Sequence, residues 1–266
     1  MEAPHDSLAL LLLENPLDSP RNPDRGQVWG PIEWKGVKVT TSASKALHRL
    51  REGNRRFWDP SAASRASEDP SLAFSDLSAG QAPFAAVLGC SDSRVPVEAI
   101  FSQGPGALFV VRVAGNVVGE VPLGSLEFAV GELGVELVLV LGHTHCGAVG
   151  AALTSAAGPT AAAATTGNLR RVVEPIVAAI RTRKSSPEAP DSLSPERASR
   201  MNVEAACEGV VLGSPFLAST VESGQLTIVG SVYDLKTGRV EFLEGQAGPG
   251  LSESRNRRAP QLNAAR

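Results

Sequence analysis

Four short apolar runs constrain the fold more than any other feature of this chain. Residues 84–90, 107–113, 136–142 and 226–230 are only a few positions long and show no alternation of apolar with polar residues. A strand that is apolar along its length is buried on both faces, as in a parallel sheet covered by helices. Helical patterns separate the runs. One spans 123–133, between the second and third runs; two more, at 169–180 and 201–219, lie between the third and fourth. This alternation predicts an α/β fold with a mostly parallel central sheet flanked by helices. Residues 233–242 read as a hairpin turn into one further, antiparallel edge strand.

Ahead of the first run, Leu47, Leu50 and Phe57 fall on one helical face over 44–57, with Ser42 or Ser44 available as the cap. Residues 59–80 are small and polar and predict a loop with short helical pieces. The Ala/Thr/Gly-rich stretch 154–167 and the Ser/Pro/Glu-rich stretch 184–198 read as surface loops. Residues 1–35 lack a sustained period and suggest an arm or extension. A catalytic domain over 36–246 and a polar, basic tail over 247–266 complete the expected organisation.

Composition narrows the class. A chain of 266 residues, 42% hydrophobic and 20% charged, can bury a substantial core. A net charge of −3 gives no basic face for nucleic acid. No stretch approaches the roughly 20 apolar residues of a membrane-spanning helix. The apolar run 8–13 follows Glu2 and Asp6 rather than lysine or arginine, which makes it a poor secretory signal. Three cysteines are too few for a disulfide scaffold and point to a reducing, cytoplasmic setting. Cys207, within Val203-Glu-Ala-Ala-Cys207, reads as a buried helix face with an inert thiol.

The other two cysteines lie where chemistry concentrates. The first run ends in Gly89-Cys90-Ser91-Asp92-Ser93-Arg94 and the third in Gly142-His143-Thr144-His145-Cys146-Gly147. Ligands of open parallel sheets bind beyond the carboxyl ends of the strands, so these two segments can converge. Thiolate and neutral imidazole are the ligands zinc prefers. The three-residue spacing of His143 and Cys146, at the start of a predicted helix, lets both point to one side. The helix terminus would favour Cys146 as thiolate. Three protein ligands leave a fourth position open, the pattern of a catalytic metal site. Either segment alone has a plain reading, a core Cys–His pair or a surface Asp–Arg ion pair.

These paired segments resemble the zinc motifs of the beta-class carbonic anhydrases. The likeness continues in Gly53-Asn54-Arg-Arg-Phe57, in Phe109-Val-Val-Arg112-Val-Ala114-Gly115-Asn116, in Gly124-Ser-Leu-Glu127-Phe128 and in Tyr233-Asp-Leu-Lys-Thr-Gly238, and covers about 44–243. The resemblance implies one Zn2+ per chain held by Cys90, His143 and Cys146. It implies reversible hydration of carbon dioxide to bicarbonate and a proton by zinc-bound hydroxide. Asp92 would orient the hydroxide, with Arg94 keeping Asp92 ionised and aimed. Zinc lowers the pKa of bound water to about 7 in three-histidine carbonic anhydrases, for which that value is established. Two thiolates should make the same ionisation harder, so hydrogen bonding must compensate. Asp92 itself ligates zinc in the closed state of some relatives. Gln81, nine residues before Cys90, would contact substrate. Phe109, Ala114, Phe128 and Gly147 would line its pocket, in part across a homodimer or dimer-based tetramer.

Two departures stand out. Relatives often carry tyrosine where this chain has Phe128, which removes a hydroxyl from the pocket. His145 stands where a small polar or acidic residue is common, and is a candidate proton shuttle. Some bacterial relatives hold a second bicarbonate with a tryptophan three residues before the first zinc cysteine, an arginine and a tyrosine. Arg112 and Tyr233 are counterparts here, but Val87 replaces the tryptophan. A valine offers neither the indole N–H nor its flat wall, so no such pocket is expected. Two other functions fit the same site: hydrolysis of carbonyl sulfide or carbon disulfide, and non-catalytic zinc binding on the same fold.

Overall fold

The computed structural model describes residues 40–63, 77–78, 80–156, 167–182 and 193–247. The expected N-terminal arm lies outside them, as does the tail beyond Ala247. The core builds outward from the apolar runs. They form β1 (Ala85–Cys90), β2 (Leu108–Val113), β3 (Leu137–His143) and β4 (Thr227–Tyr233), with β5 (Val240–Ala247) closing one edge. The order is β2-β1-β3-β4-β5; the first four are parallel and β5 runs antiparallel to β4. Every residue of β1, β3 and β4 is buried, as strands covered on both faces must be.

Helices cover the sheet in two layers. On one side α1 (Thr41–Trp58) and the short α3 (Val97–Ile100) pack with Val87, Leu137, Leu139 and Leu141. A four-residue turn of helix, α2 (Pro60–Ala63), follows α1. On the other side α4 (Glu120–Gly131) packs with Leu88, Val138 and Val140. The same layer holds α7 (Pro195–Gly213) and α8 (Pro215–Glu222). Cys207 is buried there, as the sequence suggests, and none of the three cysteines is in a disulfide. The helices α5 (Gly147–Ala156) and α6 (Leu169–Thr182) build a third cluster around Cys90 and Cys146. No helix of the described residues is long and apolar enough to cross a membrane.

Several boundaries differ from expectation. The cap of α1 is Thr40, not Ser42 or Ser44: its Oγ1 accepts from the Ala43 N–H at 2.9 Å and donates to Glu136 at 2.8 Å. A tertiary partner therefore fixes the start of that helix. The helix expected over 201–219 is two. Pro215 has no N–H to continue the ladder, and Ser214 before it is extended, at φ −135° and ψ 110°. The Ser214 hydroxyl then caps α8 through the Leu217 N–H at 3.1 Å. Helix rather than loop occupies 154–156 and 195–198, while 157–166 and 184–192 lie outside the described residues.

Between β1 and β3 the chain changes direction. From β1 it crosses to β2 on one side, then passes back over β1 to β3 on the other. The carboxyl ends of two adjacent strands diverge at such a switch point and leave a crevice. Cys90 is the last residue of β1 and His143 the last of β3.

Candidate metal centre and active site

At that crevice Cys90, His143 and Cys146 present their ligand atoms within 4.8 Å of one another, and all three residues are buried. His143 ends β3 rather than starting a helix; Cys146 stands just before α5, three residues later. The Cys146 carbonyl accepts from the Gly150 N–H at 3.0 Å, and its sulfur faces the N–H groups of Ala148 and Val149. Cys146 thus occupies the N-cap position, its sulfur where a serine oxygen would sit.

The imidazole is oriented from behind. Nδ1 of His143 lies 2.9 Å from the Thr144 carbonyl, which can only accept, so Nδ1 carries the proton. Nε2 then offers its lone pair to the crevice. It is buried and, among the described residues, meets no partner at hydrogen-bond geometry. An orphaned buried nitrogen beside two thiols is costly unless a further ligand completes the group. The thiols meet the same need. Hydrogen bonding from Cys146 pulls the Cys90 thiol well below its ordinary value, against the effect of burial. Donating to Cys90, together with burial, pushes Cys146 up. A metal takes both sulfurs as thiolates, so its binding would release thiol protons. Two soft thiolates and one imidazole suit zinc, with a fourth coordination position left over.

Asp92 and Arg94 flank the cluster. Arg94 donates to both carboxylate oxygens, Nε to Oδ1 at 2.9 Å and Nη2 to Oδ2 at 2.7 Å. These bonds, chiefly, hold the Asp92 carboxyl far below the usual carboxylate range. Its Oδ2 lies 3.9 Å from His143 Nε2, beside the ligands. Sequence reasoning missed how the Asp92 loop is fixed. Arg112, on β2, donates Nε to the Cys90 carbonyl at 2.9 Å and Nη2 to the Asp92 carbonyl at 2.6 Å. Thr144 also went unnoticed. Its hydroxyl accepts from the Leu235 N–H at 3.1 Å and its own N–H donates to the Tyr233 carbonyl at 2.9 Å, tying the ligand loop to the end of β4.

The remaining candidates are dispersed. Gln81 is exposed on the segment leading into β1, and Ala114 and Gly147 are exposed beside Gly115 and Cys146. Phe109 and Phe128 face each other with ring centroids 6.2 Å apart, and Phe128 is 47% exposed. His145 is exposed and adopts a left-handed φ of 56°.

The carbonic anhydrase family model matches residues 85–240, which contain β1 to β4 and the three candidate ligands. Carbonic anhydrase 2 of Mycobacterium tuberculosis is 38% identical over 203 residues, covering 75% of this chain and 92% of that protein. The Coccomyxa beta-carbonic anhydrase, solved with acetazolamide, aligns at a TM-score of 0.58 and 30% identity over 79% of this chain and 90% of that one. The chain belongs to the beta-class carbonic anhydrases. It is an enzyme of that family, with the parallel sheet and edge strand expected from sequence. A tetrameric beta-carbonic anhydrase from Sordaria macrospora also aligns, at a TM-score of 0.55 and 26% identity, over 76% of this chain and 98% of that one.

Proposed function

We propose that this chain catalyses the reversible hydration of carbon dioxide to bicarbonate and a proton, with one zinc per chain on Cys90, His143 and Cys146. The observation that carries this reading is the buried, unpartnered Nε2 of His143, grouped with two thiols and flanked by the Asp92 carboxylate. Zinc bound there supplies a Lewis acid that makes a water nucleophilic at neutral pH. The Asp92 carboxylate takes a hydrogen bond from the attacking water and turns its lone pair toward carbon dioxide. Arg94 keeps that carboxylate charged and fixed in direction. Thr144 locks the tautomer of His143, and Arg112 anchors the backbone on both sides of Ser91.

Gln81, Phe109, Ala114, Phe128 and Gly147 have supporting roles in this reading: an amide donor to substrate, apolar walls, and room at the start of α5. His145 offers an exposed ring through which the released proton can leave. Self-association, as the Sordaria relative's tetramer illustrates, would let Phe109, Ala114 and Phe128 line the pocket in part across a subunit boundary. A cytoplasmic setting suits thiols that must stay reduced to hold metal.

Stopped-flow hydration of carbon dioxide, run beside hydrolysis of carbonyl sulfide and carbon disulfide, tests the reading. Fast hydration that chelator abolishes and zinc restores is the expected result. Turnover of the sulfur compounds alone would assign the site to them, and no turnover of any would leave a binding protein.

A further inference from the structure

Two thiolates give a metal more negative charge than imidazoles would, and the chain places backbone N–H groups on the sulfurs. Cys90 Sγ accepts from the Asp92 N–H at 3.4 Å and from the Gly115 N–H at 3.2 Å. The first donor is local, two residues along the chain. The second comes from a different loop, 25 residues away, and must be held there. Gly115 lies in the 3-10 turn Ala114–Asn116 with φ 67° and ψ 18°, left-handed backbone that disfavours a side chain. A Cβ would also come within 2.8 Å of Ile176 Cδ1 and 3.0 Å of Ala148 Cβ. The carbonyl of Gly115 accepts a buried hydrogen bond from Asn202 Nδ2 at 2.8 Å.

Asn202 is itself fixed by packing. It is 4% exposed on α7, next to Val203. The two methyls of Val203 seat over Gly142 of β3 and Gly230 of β4, where a Cβ would meet them at 2.4 and 2.9 Å. Those two glycines let α7 approach the sheet, and that approach carries the Asn202 amide to the Gly115 carbonyl. With the carbonyl pinned and the dihedrals set, the N–H on the other side of the same α-carbon is aimed at sulfur.

We propose that Asn202 is a positioning residue of the metal centre, which fixes the Gly115 peptide and thereby holds an N–H donor on the Cys90 thiolate. The proposal rests on the zinc reading above. An N–H donor draws electron density from sulfur, weakens its donation and leaves the bound metal more electron-accepting. Without Asn202 the Gly115 carbonyl loses its buried partner, the turn reorients, and the sulfur loses its donor. A purely structural asparagine would stabilise α7 against the turn and leave the sulfur untouched.

The test uses the full chain with cadmium-113 or cobalt(II) in place of zinc. In the wild type, NMR should detect scalar coupling between the Gly115 amide proton and cadmium-113, transmitted through the sulfur hydrogen bond. Its absence overturns the proposal whether or not any variant folds. In Asn202→Ala the coupling should vanish and the thiolate-to-cobalt charge-transfer band should move to longer wavelength. Metal affinity should drop roughly 10- to 100-fold, the usual cost of losing a group behind a ligand. A variant with band and coupling unchanged makes Asn202 merely structural and overturns the proposal while leaving the zinc reading intact. A wild type that takes up neither metal overturns both.

Discussion

Arg94 and Asp92 form a two-pronged ion pair, and the same Arg94 Nη2 that meets Oδ2 also reaches the His145 carbonyl at 3.2 Å. The guanidinium therefore links the loop after β1 to the loop that carries His143 and Cys146.

Asp92→Asn and Arg94→Ala should both keep zinc, since neither removes one of the three ligands. Turnover should fall by roughly 10², the scale for losing a positioned acid–base group. Metal analysis beside stopped-flow hydration checks this. Near-normal rates in both variants would make the pair an ordinary surface salt bridge.

Bicarbonate should not inhibit cooperatively. Val87 is fully buried in the β1 core, and Arg112 is occupied by the carbonyls of Cys90 and Asp92. Val87 has no donor to offer an anion. Hydration rates against bicarbonate concentration should follow a simple hyperbolic decline; a steep, sigmoidal loss on mild acidification would contradict this.

Asn54 should matter for stability out of proportion to its size. Its amide donates to the carbonyls of Ile100 and Gly238 at 3.1 and 3.0 Å, and its oxygen accepts from the Val240 N–H at 2.8 Å. One buried side chain thus joins α1, the end of α3 and the β4–β5 turn. Asn54→Ala strands these backbone groups and should cost about 2–3 kcal/mol. Chemical denaturation would measure it, and a loss within experimental error would count against the assignment.

Asp234 predicts an acid dependence. The N–H of Lys236 and the hydroxyl of Thr237 hold its carboxyl below the ordinary carboxylate range. The unfolded chain titrates near 3.9. The pair's stabilisation is therefore complete above the unfolded value and is lost as pH falls through the folded one. Asp234→Asn should melt below the wild type at pH 7, with the gap narrowing below about pH 4. A gap that widened in acid would reverse the sign.

Much of this was legible in the sequence for a physical reason. Strands apolar on both faces leave an unmistakable record, so β1 and β3 begin and end within one residue of the apolar runs that announce them. The placing of Cys90 and His143 at strand ends, with Cys146 three residues beyond His143, was readable too. The break at Ser214 was also written, as Gly213-Ser214-Pro215, but the helical periodicity around it conceals it. The structural roles of Thr40, Arg112 and Asn202 were not readable. Each acts through a backbone or side-chain partner far along the chain: Glu136 for Thr40, Cys90 for Arg112 and Gly115 for Asn202. Those partnerships exist only once the sheet has formed.

The most direct test of the central claim is a zinc titration of metal-free protein followed by stopped-flow hydration of carbon dioxide. Activity should rise linearly and stop at one zinc per chain, and Cys90→Ser should recover little of it at any zinc concentration. Full activity in the zinc-free protein, or full recovery in Cys90→Ser, would contradict the account.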